Sequence, residues 1–395
     1  MKNFIFISPN FPKSYWMFCS ALKRNGMRVL GIGDCPYDEL RHELRESLHE
    51  YYKVGNLNNY EEVFRAVAFF TFKYGKIDWL ESNNEYWLMQ DARLRTEFHI
   101  TSGFMDEDMD RIKRKSAMKA YYAKAGIPTS RYHLVEGYDD AAAFAHKVGY
   151  PVVVKPDNGV GASSTYKLKC DDDLHFFIDH MDENQYIMEE FVKGHVETYD
   201  AIIDASGTPV FESGNVTPHS LMDVVNNGED SLYYIVNELS PKIRDAGIRT
   251  VNAFGVRSRF VHLEFFVLDS DQDGLGREGD VIGLEVNMRP AGAYTPDMYN
   301  FAYETDVYKI WADMIAFDHC ADDPYHARHY CAFVGRRDGK QYAMSYDEIL
   351  AKYGPNIKMQ DRMPDALADC MGNQMYVVNV DTDEQLQEFF RDLLN

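Results

Sequence analysis

The sequence predicts a multidomain protein that combines α/β and α+β architecture, with a small parallel sheet at its amino-terminal end. Strand-like and helix-like segments alternate through residues 1–104, which is typical of a parallel sheet wrapped by helices. Later extended segments, at residues 258–268 and 280–286, are separated by a short polar stretch, which favours antiparallel pairing. The 395 residues exceed what one hydrophobic core accommodates, so two to four domains are expected.

The composition is that of an acidic globular protein. Hydrophobic residues make up 45% of the chain and aromatic residues 14%, which argues against disorder. The formal net charge of −22 disfavours binding to nucleic acid or to an anionic membrane. The first residues predict a strand and not a signal peptide, and no apolar run approaches the length of a membrane span. Six cysteines without a C-x-x-C pair fit reduced thiols, so we expect a cytoplasmic protein.

The amino-terminal region is expected to form a βαβ sheet domain. Strands are predicted at residues 4–7, 27–32, 51–54 and 77–80, and helices at residues 14–24, 37–47, 60–74 and 85–98. Gly31 and Gly33 end the second strand. They favour a turn over a dinucleotide site, because no G-x-G-x-x-G opens a helix there.

A charged helix is predicted over residues 106–125, because Gly126 and Pro128 supply stop signals just beyond it. Its basic residues are Arg111, Lys113, Arg114, Lys115 and Lys119, an unusual concentration in an acidic chain. Either this run forms a solvated helix face or it faces an anion, and the pattern leaves both interpretations open.

Residues 150–165, Y-P-V-V-V-K-P-D-N-G-V-G-A-S-S-T, predict a buried strand that enters a glycine- and hydroxyl-rich turn. Lys155 ends the strand, where burial would require an anion beside it. Gly159, Gly161 and the hydroxyls that follow offer donors suited to phosphate. The stretch is not a P-loop, since its lysine precedes the glycines. A tight turn with a solvated lysine is the alternative.

The remaining elements alternate less regularly. Helices are predicted at residues 138–148, 174–181, 241–254 and 302–316, and extended segments at residues 185–192, 197–203 and 210–216, followed by a polar loop over 217–231. From residue 320 the pattern restarts, with strands at 330–334 and 375–380 and helices at 346–353 and 383–394. This end of the chain resembles a small α+β domain.

A second chemical signal lies in the strands V-H-L-E-F-F-V and V-I-G-L-E-V-N-M-R-P. Because side chains alternate along a strand, Glu285, Asn287 and Arg289 share one face, and antiparallel pairing would bring Glu264 opposite them. Oxygen-only ligands suit Mg²⁺ shared with nucleotide phosphates, and Arg289 would then contact a phosphoryl oxygen. An exposed strand face is the alternative, but the apolar neighbours indicate central strands, where repeated acids are costly without a cation.

Two other clusters are weaker metal candidates. Residues 269–280, D-S-D-Q-D-G-L-G-R-E-G-D, match part of a calcium-loop spacing, but strands flank them and Asp280 replaces the glutamate of the twelfth place. We interpret them as a solvated acidic hairpin, with structural Ca²⁺ as the alternative. Residues 318–331 contain histidines and cysteines whose spacings match no standard zinc site, which favours an ordinary surface segment.

The order of these motifs closely resembles the ATP-grasp superfamily, in the carboxylate–amine ligase branch near biotin carboxylase and carbamoyl-phosphate synthase. The motifs of this chain are, in order, a basic helix followed by G-I-P, the V-V-V-K-P strand with its glycine loop, M-E-E-F-V, H-x-E-F and E-V-N-x-R-P. The resemblance covers about residues 1–317. It implies an ATP-grasp fold preceded by a small Rossmann-like domain. The implied domains are residues 1–104, a lid subdomain at 105–185, a metal-binding subdomain at 186–317, and a small α+β domain at 318–395.

The resemblance also implies roles for individual residues. Lys115 and Lys155 correspond to the lysines that hold ATP phosphates, and Arg289 to the arginine that contacts the transferred phosphate or acyl phosphate. Glu264, Glu285 and Asn287 correspond to ligands of Mg²⁺, with Mn²⁺ as an alternative cation. The other nucleotide contacts implied are the lid residues Gly159, Gly161, Ala162, Ser163 and Ser164, the adenine-reading hinge residues Glu189, Glu190 and Val192, and the ribose-facing acid Glu197.

Two departures from the family pattern are apparent. The acidic hairpin lengthens the separation between Glu264 and Glu285. Lys115 follows Arg114 instead of the usual aspartate, so Lys113 remains a rival for the phosphate contact. In addition, P-A-G-A-Y-T-P-D-M replaces the Arg-x-x-x-Glu-His stretch of biotin carboxylase, so Tyr294 and Asp297 are expected to face a different substrate.

These inferences predict an ADP-forming ligase, in which a small carboxylate becomes an acyl phosphate and then joins an amine or a thiol. The expected partners are small carboxylate and amine substrates, with amino-acid-like compounds as one class. A homodimer is expected from the relatives. The alternatives are an ATP-binding regulator without turnover and a small-molecule kinase on the same scaffold.

Overall fold

The computed structural model describes residues 1–159, 164–218, 224 and 228–395 and arranges them around three β-sheets. A parallel four-stranded sheet comes first, an antiparallel four-stranded sheet lies in the middle of the chain, and a nine-stranded sheet follows. Separate clusters of buried apolar side chains pack on these sheets. The predicted combination of α/β and α+β architecture is confirmed.

The amino-terminal sheet has the predicted parallel βαβ arrangement, with strand order β3-β2-β1-β4. Its strands are β1 (Asn3–Ile7), β2 (Arg28–Gly33), β3 (Glu50–Lys53) and β4 (Trp79–Glu81). Its helices are α1 (Trp16–Arg24), α2 (His42–Ser47), α3 (Tyr60–Tyr74) and α4 (Leu88–Glu97). A 3₁₀ turn (Glu85–Trp87) precedes α4, and the side chain of Asn84 caps it by accepting from the Tyr86 N–H at 3.0 Å.

The helix predicted over residues 106–125 is interrupted, and that prediction was wrong in its continuity. A 3₁₀ turn (Asp106–Asp108) leads into α5 (Met109–Lys113), and α6 (Lys115–Lys124) follows. Arg114 between them has an extended conformation, with φ −92° and ψ 118°. The Lys115 N–H donates to the Asp157 carbonyl at 2.9 Å, and the Ser116 N–H donates to the Asp157 carboxylate at 2.8 Å. Asp157 thus supplies the amino-terminal donors of α6 with acceptors that a continuous helix would have provided.

The middle sheet is antiparallel, with strand order β5-β8-β6-β7. Val152 and Val154 are fully buried against its two helices, and the alternation along β6 turns Lys155 to the other face. The strands are β5 (Tyr132–Leu134), β6 (Val152–Pro156), β7 (Tyr166–Leu168) and β8 (Tyr186–Glu190), and the helices are α7 (Tyr138–Val148) and α8 (Asp171–His180).

The large sheet has the order β14-β13-β9-β11-β12-β15-β17-β16, and β10 pairs with β9 beside this path. Its strands are β9 (Gly194–Ile203), β10 (Pro209–Ser213), β11 (Asn215–Thr217), β12 (Ser231–Ile235), β13 (Arg259–Leu268), β14 (Val281–Asn287), β15 (Tyr330–Arg336), β16 (Ile357–Arg362) and β17 (Gln374–Val380). The helices around it are α9 (Pro241–Phe254), α10 (Thr295–Tyr303), α11 (Val307–Phe317), α12 (Tyr346–Tyr353), α13 (Asp365–Met371) and α14 (Asp383–Leu394). The predicted antiparallel pairing of β13 with β14 is confirmed.

The sheets cross two of the predicted domain boundaries. Strand β8, which begins at residue 186, pairs with β5 and β6 of the middle sheet. Strands β15, β16 and β17, from the region after residue 318, extend the large sheet, because β12 pairs with β15. Strand pairing does not by itself define where a domain begins or ends, so the domain limits at residues 104, 185 and 317 stay predictions.

None of the helices in the described ranges is both long and apolar enough to cross a bilayer. All six cysteines are free thiols, and Cys19 and Cys331 are buried.

Candidate functional site

Two lysines with little exposed surface lie where α6, β6 and β14 approach one another. Lys155 Nζ is 2.6 Å from Glu189 Oε2. Lys115 Nζ is 3.4 Å from Glu285 Oε1 and donates to the Gly159 carbonyl at 3.2 Å. Burial by itself lowers the pKa of Lys155, but the Glu189 carboxylate outweighs burial and the pKa is raised. Both lysine side chains therefore lie on the side of the middle sheet that faces β14, each beside a carboxylate.

The carboxylates predicted to share a face do lie together. Glu264 on β13 is directly opposite Glu285 on β14, and the register shifts only beyond Glu264. The Asn287 amide donates to Glu264 Oε1 at 3.1 Å, and Arg289 Nη2 donates to Asn287 Oδ1 at 3.2 Å. The longer separation caused by residues 269–280 therefore leaves this pairing intact, since the extra residues lie beyond the strand ends.

The electrostatics of this face favour a cation. Burial raises the pKa of Glu285; Lys115 opposes that shift and the neighbouring Glu264 adds to it. Burial also raises the pKa of Glu264, but His262 outweighs it and the pKa is lowered. Two carboxylates and the Asn287 amide oxygen form a hard, oxygen-only donor set that fits Mg²⁺. Within the described residues no group of three or more His, Cys, Asp or Glu is arranged to hold a metal, so ligands beyond these would come from a bound molecule such as a phosphate.

Glu85 joins the site from the amino-terminal domain, and sequence reasoning missed it. Its carboxylate pairs with Lys113 and lies 3.2 Å from Arg289 Nε. Burial raises the pKa of Glu85, but Arg289 and Lys113 together lower it below its usual value. The break at Arg114 therefore turns Lys113 toward Glu85 and Lys115 toward Glu285. No local motif marks Glu85, because its partners follow it by 28 and 204 residues.

The carboxylates of the predicted hinge are engaged with basic side chains. Glu189 pairs with both Lys119 and Lys155, which lower its pKa although burial raises it. Glu190 accepts three hydrogen bonds from Arg131, from the main-chain N–H at 2.6 Å, from Nε at 2.8 Å and from Nη2 at 2.5 Å. A ligand at this hinge would therefore meet main-chain groups more readily than these carboxylates. Lys119 was part of the basic run in the sequence, but nothing there indicated its pairing with Glu189.

The other predicted nucleotide contacts are only partly described. Of the predicted lid residues, the structure describes Gly159 and Ser164, whereas Gly161, Ala162 and Ser163 lie outside the described residues, as does most of the polar loop that follows residue 218. Val192 is buried, with 6% of its surface exposed. Glu197 lies on β9, where His195 Nε2 is 3.2 Å from its Oε1.

Comparison with known proteins agrees with this geometry. Residues 110–272 match the family model described as the carbamoyl-phosphate synthase L chain, ATP binding domain. The carbamoyl phosphate synthase large chain of Methanothermobacter thermautotrophicus is 26% identical over 134 residues, which is 33% of this chain and 12% of that protein. The L-arginine-specific L-amino acid ligase of Bacillus subtilis is 31% identical over 105 residues, which is 26% of this chain and 25% of that protein. The matched segments thus span about an eighth and a quarter of these relatives.

Solved structures extend the likeness to the whole fold. The L-amino acid ligase of Bacillus licheniformis superposes with a TM-score of 0.74 at 15% identity, over 99% of this chain and 96% of that one. The biotin carboxylase domain of the Hydrogenobacter thermophilus 2-oxoglutarate carboxylase was solved with MgADP and bicarbonate. It superposes with a TM-score of 0.69 at 14% identity, over 99% of this chain and 89% of that one. The chain therefore has the ATP-grasp fold, and it resembles the carbamoyl-phosphate synthase and biotin carboxylase branch of that superfamily.

Proposed function

We propose that this chain is an ATP-dependent, ADP-forming ligase that activates a small carboxylate as an acyl phosphate and joins it to an amine or a thiol. The observation that carries the proposal is the pairing of Glu264 with Glu285 opposite two largely buried lysines, Lys115 and Lys155. Arg289 lies at the end of the same face. A metal–polyphosphate complex is one of few ligands whose phosphates would pair with the lysines while its cation pairs with the carboxylates.

In the proposed nucleotide complex, each side holds a different part of ATP. Lys115 and Lys155 bind phosphate oxygens, and the main chain between Glu190 and Val192 binds adenine. Glu264, Glu285 and Asn287 would hold Mg²⁺, or Mn²⁺ in its place, and the bound cation supplies further neutralisation of phosphate charge.

In the first step, a carboxylate oxygen of the substrate attacks the γ-phosphorus of ATP. The bond from this phosphorus to the β–γ bridging oxygen breaks, and ADP leaves with the electron pair. Lys115, Lys155 and Arg289 stabilise the charge that develops on the transferred phosphoryl group. The products of this step are an acyl phosphate and ADP.

In the second step, the amine or thiol attacks the acyl carbon. The bond from this carbon to the phosphate oxygen breaks, inorganic phosphate leaves with the electron pair, and the proton of the nucleophile passes to phosphate or solvent. Residues 159–164 would cover the intermediate during this step, because water would otherwise hydrolyse it.

Amino-acid-like compounds are the substrate class we propose to test first. One relative is named for L-arginine-specific L-amino acid ligation, and a structural neighbour is an L-amino acid ligase. We also propose a cytoplasmic location and a homodimeric state, with no nucleic-acid or membrane partner, in keeping with the acidic composition.

ADP release from Mg-ATP, measured with pooled small carboxylates and amines, tests the proposal. We expect release to require one carboxylate and one amine or thiol, and to be lost in Glu285→Gln. Glu183→Gln, which changes an exposed acid in the turn before β8, is the matched control and should behave as the wild type.

The other outcomes identify the alternatives. ATP binding without ADP release, across the whole panel, would favour the regulator and overturn the ligase. ADP release with a hydroxyl compound alone would favour the kinase.

A further inference from the structure

The acidic loop between β13 and β14 (residues 269–280) uses several polar groups for contacts that the sequence did not reveal. Asp271 Oδ1 accepts the Glu278 N–H at 2.9 Å, and Asp280 Oδ2 accepts the Arg277 N–H at 2.8 Å. These carboxylates therefore shape the loop itself. The acids of the loop are exposed, as expected of a solvated acidic hairpin, but other groups of the loop also contact the chain between β8 and β9.

Gln272 makes the central contact of the acidic loop. Its side-chain Nε2 donates to the Phe191 carbonyl at 2.9 Å, and its Oε1 accepts the Lys193 N–H at 3.0 Å. One planar amide thus pairs with main-chain groups on both sides of Val192, as a neighbouring strand would. The acidic loop therefore holds the main chain on both sides of Val192.

A second pair of contacts lies next to the first. The Asp269 N–H donates to the Lys193 carbonyl at 3.0 Å. The Asp269 carboxylate is 2.7 Å from His195 Nδ1, and His195 Nε2 is 3.2 Å from Glu197 Oε1. The acidic loop therefore connects through one imidazole to the acid that the resemblance places beside the ribose.

An apolar contact completes the docking. Val192, Leu268 and Ile282 form a buried cluster, and Leu275 of the acidic loop packs against it. The loop is thus attached to the segment from Phe191 to Lys193 by side-chain amide, main-chain and apolar contacts at once.

We propose that the acidic loop positions the base-binding segment of the nucleotide site, with Gln272 as the positioning residue. The inference rests on the proposed function, since the segment it positions is the one proposed to bind adenine. Gln272 itself does not touch the nucleotide. It fixes the main chain at Val192, so that binding of the base requires no ordering of this segment.

Binding of two probes to the full-length protein tests this role by titration calorimetry. MgADP carries the base and ribose, whereas magnesium tripolyphosphate carries only phosphates. For Gln272→Ala we expect MgADP to bind about tenfold more weakly, because two hydrogen bonds that order its site are lost. Tripolyphosphate should bind as it does to the wild type. Asp273→Ala, an exposed neighbour in the same loop, is the control and should leave both affinities unchanged.

Equal weakening of both probes, or of neither, would overturn the positioning role. If Gln272→Ala does not fold, Gln272→Glu replaces it, because this isosteric change keeps the acceptor and removes the donor; the same loss restricted to MgADP is then expected. A wild-type protein that binds neither probe would instead overturn the proposed function, so the two failures are distinguishable.

Discussion

The two sides of the candidate site hold their charges in different ways. On the middle sheet, the Glu189 carboxylate lies between the ammonium groups of Lys119 and Lys155, so opposite charges are buried together. On the β13–β14 pair, Glu264 lies opposite Glu285, so two half-buried like charges face each other and the pKa of Glu285 is raised.

This difference indicates which side supports the fold and which side responds to a ligand. A buried ion pair is costly to break, because removing one partner leaves the other charge uncompensated. Two facing carboxylates repel each other until a proton or a cation neutralises them. Charge substitutions on the middle sheet should therefore lower stability, whereas on β13–β14 they should change ligand binding most.

The largest effect is expected for Glu189→Gln. This change leaves Lys119 and Lys155 buried without their carboxylate, so the free energy of unfolding should fall by about 3–5 kcal/mol in urea denaturation. Glu388→Gln breaks an exposed pair with Lys352 and should leave the free energy of unfolding almost unchanged. If the Glu189→Gln protein is as stable as the Glu388→Gln protein, the middle sheet does not depend on its buried ion pairs and the proposed difference between the two sides is wrong.

The next effect concerns turnover. Lys155→Ala removes a cation from the proposed phosphate site, so the rate of ADP release should fall by about 10²- to 10³-fold in a coupled assay at a temperature where the variant is folded. Lys76→Ala, at an exposed lysine, serves as the control. If Lys155→Ala changes neither the rate of ADP release nor ATP affinity, Lys155 does not bind phosphate.

A smaller effect of opposite sign is expected for Glu285→Gln without metal. Since the pKa of Glu285 is raised in the folded state, its ionisation lowers stability as the pH rises, and the neutral amide should raise the melting temperature at pH 7. The gain should vanish below the ordinary glutamate pKa, about 4.3. Thermal melts of both proteins at pH 7 and at a pH below the ordinary glutamate pKa measure this gain. A loss of stability in Glu285→Gln at pH 7 would show that the two carboxylates do not repel each other.

The same variant separates stability from ligand response. MgADP should raise the melting temperature of the wild type, because a ligand that binds only the folded state stabilises it. In Glu285→Gln this increase should shrink or disappear, although the unliganded variant is at least as stable.

The smallest effect concerns pH at the acidic loop. Hydrogen bonds and charges from Glu197 and Asp269 raise the pKa of His195 to about 9. The contribution of its charged form is fully present below about pH 6.5 and is lost as the pH rises through about 9. Because this cluster is partly exposed, we expect MgADP affinity to fall by less than about fivefold over that range. His195→Gln should remove this pH dependence of MgADP affinity. If the pH profile of the variant equals that of the wild type, His195 does not couple the acidic loop to nucleotide binding.

The predictions that succeeded depend on neighbouring residues. The shared face of Glu285, Asn287 and Arg289 follows from the two-residue period of a strand, and the burial of Val152 and Val154 follows from the same rule. The order of these motifs was then enough to identify the fold.

The features that were missed depend on partners distant in the sequence. The break at Arg114 requires Asp157, about forty residues later, to supply acceptors to α6. Gln272 contacts Phe191 across 81 residues, and Glu85 contacts Arg289 across 204. Helical periodicity and turn composition contain no information on such contacts, because tertiary partners decide them.

The continuity of the large sheet has a practical consequence for anyone who shortens this protein. Strand β12 is paired along its outer edge by β15 over five residues, Ser231 to Ile235. A chain that stopped near residue 317 would expose that edge and uncover Leu232, which belongs to the same buried apolar cluster as Phe389 and Leu393 of the last helix. Unpaired edges with apolar neighbours recruit other chains. Fragments for crystallisation or assay should therefore keep the last eighty residues, even though the recognisable motifs end before them.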